Sequence, residues 1–152
     1  MTSAIVFSGN IILLAISGVY DLKYKKIPNI CVLCMLTLYF VTHAAALLIT
    51  GITPLTVTIL RCAIAAITPF FLMLPAELMT KRAFGAGDKK VLFVLAFSTG
   101  TWGIVFVMFG MMAGGLIFGM VKKVERREKI AMAPFILVSY FVVGMLRCFI
   151  QL

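Results

Sequence analysis

Apolar runs of membrane-span length alternate with short polar segments along the whole chain. The first run extends from about Ser3 to Tyr20, the second from Ile30 to Thr50 and the third from Leu55 to Ala76. A membrane-crossing helix takes about 20 mostly apolar residues, so each run predicts one span. Gly51-Ile52-Thr53-Pro54, between the second and third, is uncharged and reads as a turn. Pro69 and Pro75 fall in the later half of the third run and predict a kink. The stretch from Val91 to Val121 is long for one span and short for two. A break near Ser98-Thr99-Gly100-Thr101 predicts two helices, the first of them short and starting at Asp88. Trp102, beside the break, suits a membrane interface. Ala131 to Leu152 forms the last run. The expected fold is therefore an all-α membrane protein, a polytopic bundle of six transmembrane helices in one domain over residues 1–152.

Composition makes the same point independently. Of 152 residues, 63% are hydrophobic and 12% charged, and the mean hydropathy is +1.16. Soluble domains hold roughly 45–50% apolar and about 25% charged residues. A water-soluble enzyme is excluded, and six spans leave no room for a second, soluble domain. The net charge of +9 changes the picture through its distribution. Lys23, Lys25 and Lys26 form one basic group, Lys81, Arg82, Lys89 and Lys90 a second, and Lys122, Lys123, Arg126, Arg127 and Lys129 a third. Basic loops stay on the cytoplasmic side during insertion. The expectation is a multi-pass protein of the cytoplasmic (inner) membrane with both termini outside. Residues 1–20 carry no Lys or Arg, so the first run reads as an uncleaved anchor, although Ala15-Ile16-Ser17 looks like a cleavage site. Arg61 and Arg147 each lie within two turns of an expected outer end and can snorkel. The bilayer is the expected partner, through anionic headgroups. Nucleic acid is not, because no aromatic residues interleave with the cations.

Several features read as packing. Gly110, Gly114, Gly115 and Gly119 give small-xxx-small spacings that let helices approach closely. His43 lies mid-span and reads as a packed side chain. Cys31, Cys34, Cys62 and Cys148 read as small apolar residues. The Cys31/Cys34 pair has no second pair to complete the four ligands of a structural zinc site. No metal or cofactor is expected.

The five acidic residues carry the chemistry. Glu125 and Glu128 sit within a basic cluster, and Glu77 at the inner end of the third run reads as a headgroup-level carboxylate. Asp21 and Asp88 are the only aspartates, each at the membrane end of a span. Ionisable groups there are costly and tend to be functional. Asp21 ends span one and Asp88 begins span four. The end of an odd-numbered span and the start of an even-numbered one share a side, so both aspartates face the cytoplasm. Two such carboxyls suffice for aspartic proteolysis, one taking a proton from water and the other donating one. Like charges at close range cannot both ionise easily, so the two titrate as a coupled pair. Asp88 near a helix N-terminus and Asp21 near a C-terminus favour Asp88 as the base and Asp21 as the acid. Lys23 and Lys90 stand close enough in sequence to reverse that split.

The surroundings of the aspartates carry a resemblance. Asp21-Leu22-Lys23-Tyr24-Lys25-Lys26-Ile27-Pro28-Asn29 resembles the first aspartate motif of the type IV prepilin peptidases, and Gly85-Ala86-Gly87-Asp88-Lys89-Lys90 resembles their Gly-x-Gly-Asp-x-Lys motif. The resemblance implies a GxGD aspartic protease with Asp21 and Asp88 catalytic, supported by Gly85, Gly87, Lys23, Lys90, Pro28 and Asn29. On physical grounds Gly85 and Gly87 permit positive φ and close backbone approach. Pro28 suits the first turn of span two. The implied substrate is a type IV prepilin or pseudopilin, cut on the cytoplasmic side after a glycine that precedes its hydrophobic helix. The implied form is the short one that serves tight-adherence (Flp) pili or related secretion systems. It lacks the N-terminal zinc and methyltransferase region of longer members. Ala133-Pro134-Phe135 does not match the Pro-Ala-Leu motif of the presenilin-like relatives, which favours the prepilin branch. Two other classes fit the composition: a small proton-coupled transporter using Asp21 and Asp88 as coupling carboxylates, and an inactive structural subunit of a secretion machine.

Overall fold

In the computed structural model, residues 2–50, 55–80, 85–121 and 131–150 are described. They form five helices: α1 (Thr2–Tyr24), α2 (Asn29–Thr50), α3 (Leu55–Thr80), α4 (Ala86–Val121) and α5 (Ala133–Ile150). The turn at 51–54, the cations at 81–82 and 122–129, Glu125, Glu128 and the side chains of Gly119, Arg147 and Cys148 lie outside what is described.

The expected break lies inside α4. Gly100 has φ 67° and ψ 179°, and it divides α4 into two helical segments. That conformation is open essentially to glycine alone. The Ser98 and Thr99 hydroxyls, just ahead of the break, both donate to the Leu95 carbonyl, at 2.9 and 2.8 Å. Three helices contain stretches long and apolar enough to cross a membrane: Ala4–Tyr24, Asn29–Leu48 and Ala86–Phe118. Leu60–Leu74 and Ala133–Leu146 are shorter apolar stretches among the described residues. Five helices, one of them broken, thus stand where six spans are expected.

The ends differ from the sequence reading in detail. α1 continues past Tyr20 to Tyr24, so Asp21 lies in its last turn. Lys25 follows at φ 54° and donates its N–H to the Asp21 carbonyl at 2.9 Å, a left-handed C-terminal cap. Pro28 stands one residue ahead of α2, its carbonyl accepting the Cys31 N–H at 3.1 Å. α3 continues through Pro69 and Pro75 to Thr80 as one helix.

α4 occupies the centre and touches each of the other four helices, whereas α3 packs chiefly on α4 among the described residues. Val91, Leu92, Leu95, Ala96, Ile104, Val107 and Met111 of α4 bury themselves against Leu14, Met35, Ala65, Met73, Ile136 and Tyr140. The outside is apolar too: Leu48 is 89% exposed, Trp102 79% and Phe71 73%. The polar side chains Asn10, Ser17, Asp21, Thr99 and Ser139 are buried instead. Polar groups inside and large apolar ones outside suit lipid as the solvent. The molecule is an all-helical, membrane-like protein. The glycine stripe of α4 receives α5, as its spacing predicts. Gly110 abuts Ser139, Gly115 faces Met132, and a Cβ at Gly114 would stand 2.7 Å from Phe135 Cδ1.

Candidate active site

Asn10, Leu14, Ser17 and Asp21 follow one another at helical spacing and form the buried face of α1. That register carries Asp21 inward at the end of the helix, leaving it 5% exposed. Its Oδ2 accepts the N–H of Ala133, the first residue of α5, at 3.2 Å.

Asp88 lies in the first turn of α4. Gly85 precedes the helix, and its carbonyl accepts the Lys89 N–H at 3.2 Å. The Asp88 carboxyl reaches back to the Gly85 backbone. A third-position carboxylate that satisfies the N–H ahead of its own helix is one half of a capping box. The sequence reading assigned Gly85 and Gly87 partly to positive φ. Neither has it; among the described glycines only Gly100 does. Room is the reason for both. A Cβ at Gly85 would stand 2.8 Å from Asp88 Oδ2, and one at Gly87 would stand 3.0 Å from Ile27 Cβ. Gly87 thereby lets the second motif pack directly on the first.

Two consecutive lysines fasten this turn in different directions. Lys89 Nζ lies 2.7 Å from Glu77 Oε1 on α3. Lys90 Nζ donates to Asn29 Oδ1, at the start of α2, at 3.1 Å. Glu77 is therefore an ion-pair partner of the second motif and not a plain headgroup-level carboxylate. Lys23 is exposed, with its ammonium 5.2 Å from the centroid of the Tyr24 ring.

The two aspartates interact: the Asp21 charge acts on the Asp88 carboxyl. Helices α1 and α4, remote in sequence, bring them to one end of the bundle. The dipole argument for Asp88 as base and Asp21 as acid loses its basis here. Asp21 ends its own helix but also caps the N-terminus of α5, so each carboxyl faces a helix N-terminus. Two carboxyls can activate water with one member and donate a proton with the other. Such a mechanism needs no covalent intermediate.

Other candidates lie elsewhere. His43 bonds the Tyr39 carbonyl through Nδ1 at 3.0 Å, and its ring stacks on Tyr39 with centroids 4.0 Å apart. Tyr39 OH pairs with Cys62 Sγ at 3.0 Å. Cys31 is buried, Cys34 is exposed, and both are free thiols. Among the described residues no three His, Cys, Asp or Glu side chains gather as metal ligands. Sequence reasoning missed the Ala133 amide, which has no side-chain signature, and the Glu77–Lys89 pair.

Neither the curated proteins nor the solved structures contain a match to the chain. The model of the Type IV leader peptidase family matches residues 9–120, a stretch that includes both aspartates, the basic loop after Asp21 and the Gly-x-Gly-Asp turn. Covering most of the sequence, that match shows that the chain belongs to the Type IV leader peptidase family and is accordingly a protease.

Proposed function

We propose that the protein is a membrane-embedded aspartic endopeptidase that removes the short basic leader of type IV prepilins or pseudopilins. It cuts at the cytoplasmic face of the inner membrane, after the glycine that precedes the substrate's hydrophobic helix. The observation that carries this reading is the placement of the two aspartates within the family match, Asp21 buried in the last turn of α1 and Asp88 in the first turn of α4. One carboxylate takes a proton from water as its oxygen attacks the scissile carbonyl carbon. The other, protonated, donates to the amide nitrogen as the C–N bond breaks. The products are a leader ending in a new carboxylate and a pilin with a free N-terminus.

One of the two lysines beside Asp88 is neutralised: Glu77 meets the charge of Lys89, which lessens the repulsion a cationic leader would meet there. A proton-coupled carrier is the weaker reading. Carriers place their coupling carboxylates near the midplane within broken helices. Here the break at Gly100 is lined by the neutral Asn10, Ser98 and Tyr140, and the aspartates stand at helix ends.

The test is cleavage of a purified prepilin by the purified protein in detergent. The wild type shortens the substrate by its leader, and Asp21→Asn or Asp88→Asn alone abolishes the cut. Retained cleavage by either variant removes the carboxyl pair, and solute uptake without proteolysis installs the carrier.

A further inference from the structure

The two motifs leave one contact of Asp21 unexplained, and it comes from the far end of the chain. Asp21 Oδ2 takes the N–H of Ala133, which is buried at the start of α5. The first amides of a helix lack intrahelical partners. In α5 their uses are divided unequally. Pro134 has no N–H. The N–H groups of Phe135 and Ile136 both turn back to the Met132 carbonyl, at 3.0 and 3.1 Å. Ala133 is the amide left to serve Asp21. Its height along α4 is set by the glycine stripe, where Gly110, Gly114 and Gly115 receive Ser139, Phe135 and Met132. On the other side Gly18 lies one turn before Asp21, and a Cβ there would stand 3.8 Å from Pro134 N. Bare backbone on α1 and α4 thus seats the α5 start against the carboxyl.

We infer that the Ala133 backbone amide is a positioning group for Asp21. It fixes the rotamer and leaves one carboxyl oxygen, Oδ1, for water or substrate, and it makes the first turn of α5 a third component of the peptidase site. The inference rests on the peptidase reading, but the contact itself is testable without it. Around Asp21, α4 presents Asp88, α1 carries Lys23 and is followed by the cap residue Lys25, α2 carries Cys31 at this end, and the first turn of α5 brings no titratable side chain.

The experiment has two arms. In the first, the amide resonances of 15N-alanine-labelled protein are followed against pH in detergent micelles. The Ala133 signal should move with pH in the wild type and in Asp88→Asn, and should stand still in Asp21→Asn. A signal indifferent to pH, or one that follows Asp88 instead, overturns the inference. In the second arm, Ala133→Pro deletes the N–H at a helix position where proline is tolerated. We expect a fall of about tenfold or more in kcat with KM little changed, the scale of one hydrogen bond to a charged group. Ala133→Gly, which keeps the N–H, should recover kcat relative to Ala133→Pro. Wild-type kcat in a folded Ala133→Pro protein overturns the inference; if that variant does not fold, the amide titration decides alone. A wild type that never cleaves a prepilin, yet whose Ala133 amide follows Asp21, sinks the peptidase reading and leaves the contact standing.

Discussion

Two buried polar clusters join the same three helices, and they differ in charge and depth. At one end, Asp21 of α1 accepts the Ala133 amide of α5, and Asp88 stands in the first turn of α4. Deeper in the bundle, Asn10 of α1 donates to Ser98 of α4 at 3.3 Å and to Tyr140 of α5 at 3.2 Å. Asn10 and Ser98 each lie roughly 15–17 Å along their helices from the aspartates. That depth is about the middle of a 30 Å hydrocarbon core if the aspartates stand at its edge. The deep cluster is neutral and lies beside the Gly100 break, where the Ser98 and Thr99 hydroxyls bond the Leu95 carbonyl. The other cluster is ionisable and stands at helix ends. The comparison teaches that burial alone does not mark a site in this fold. The neutral polar groups bond to one another and to the Leu95 carbonyl beside the break, whereas the aspartates are the groups to which the proposed function assigns the chemistry.

The sharpest way to break this division is to remove each cluster and compare activity with stability. Asp88→Asn and Asp21→Asn should each lower leader cleavage by about 10²–10⁴-fold or more, the scale of a lost general acid or base. Thermal unfolding in detergent should stay near wild type, since asparagine keeps a carbonyl acceptor for the Gly85 or Ala133 amide. Gly100→Ala should do the reverse. No atom lies within 4 Å of the added methyl, so the cost is conformational, about 1–3 kcal/mol of stability at that φ and ψ. Cleavage per folded molecule should hold, as read by chemical unfolding beside a turnover assay. A loss of turnover from Gly100→Ala at full stability would erase the distinction between the clusters.

Smaller effects sharpen it. Tyr140→Phe removes the hydroxyl shared by Asn10 and Ser98 and should cost about 1 kcal/mol, the scale of interhelical hydrogen bonds in membranes. Glu77→Gln breaks a partly exposed ion pair and should cost at most about 1 kcal/mol, with the difference shrinking in high salt. Lys25→Gly relieves the left-handed cap and should stabilise by up to about 1 kcal/mol, seen as a small rise in Tm.

Much of the layout is legible in the sequence because bilayer length and charge placement are strong constraints. The break expected over Ser98–Thr101 falls at Gly100. The sequence places Asp21 at the end of the first apolar run and Asp88 before the fourth, and the structure has them in the last turn of α1 and the first turn of α4. What was not legible depends on backbone. The cap that Ala133 provides cannot be read from an alanine, and it undoes the dipole argument that separated the two carboxyls. The roles of Gly85 and Gly87 are steric and not torsional, a difference visible only once Asp88 and Ile27 are placed. The deep cluster had one clue, an asparagine inside an apolar run, but its partners lie 88 and 130 residues away in sequence.

The central claim, that Asp21 and Asp88 together hydrolyse a prepilin peptide bond, is tested most directly by the intact mass of a prepilin co-expressed with each form of the protein. The account predicts a pilin lacking its leader with the wild type and a full-length prepilin with Asp21→Asn or Asp88→Asn. A leaderless pilin produced by either single variant would contradict it.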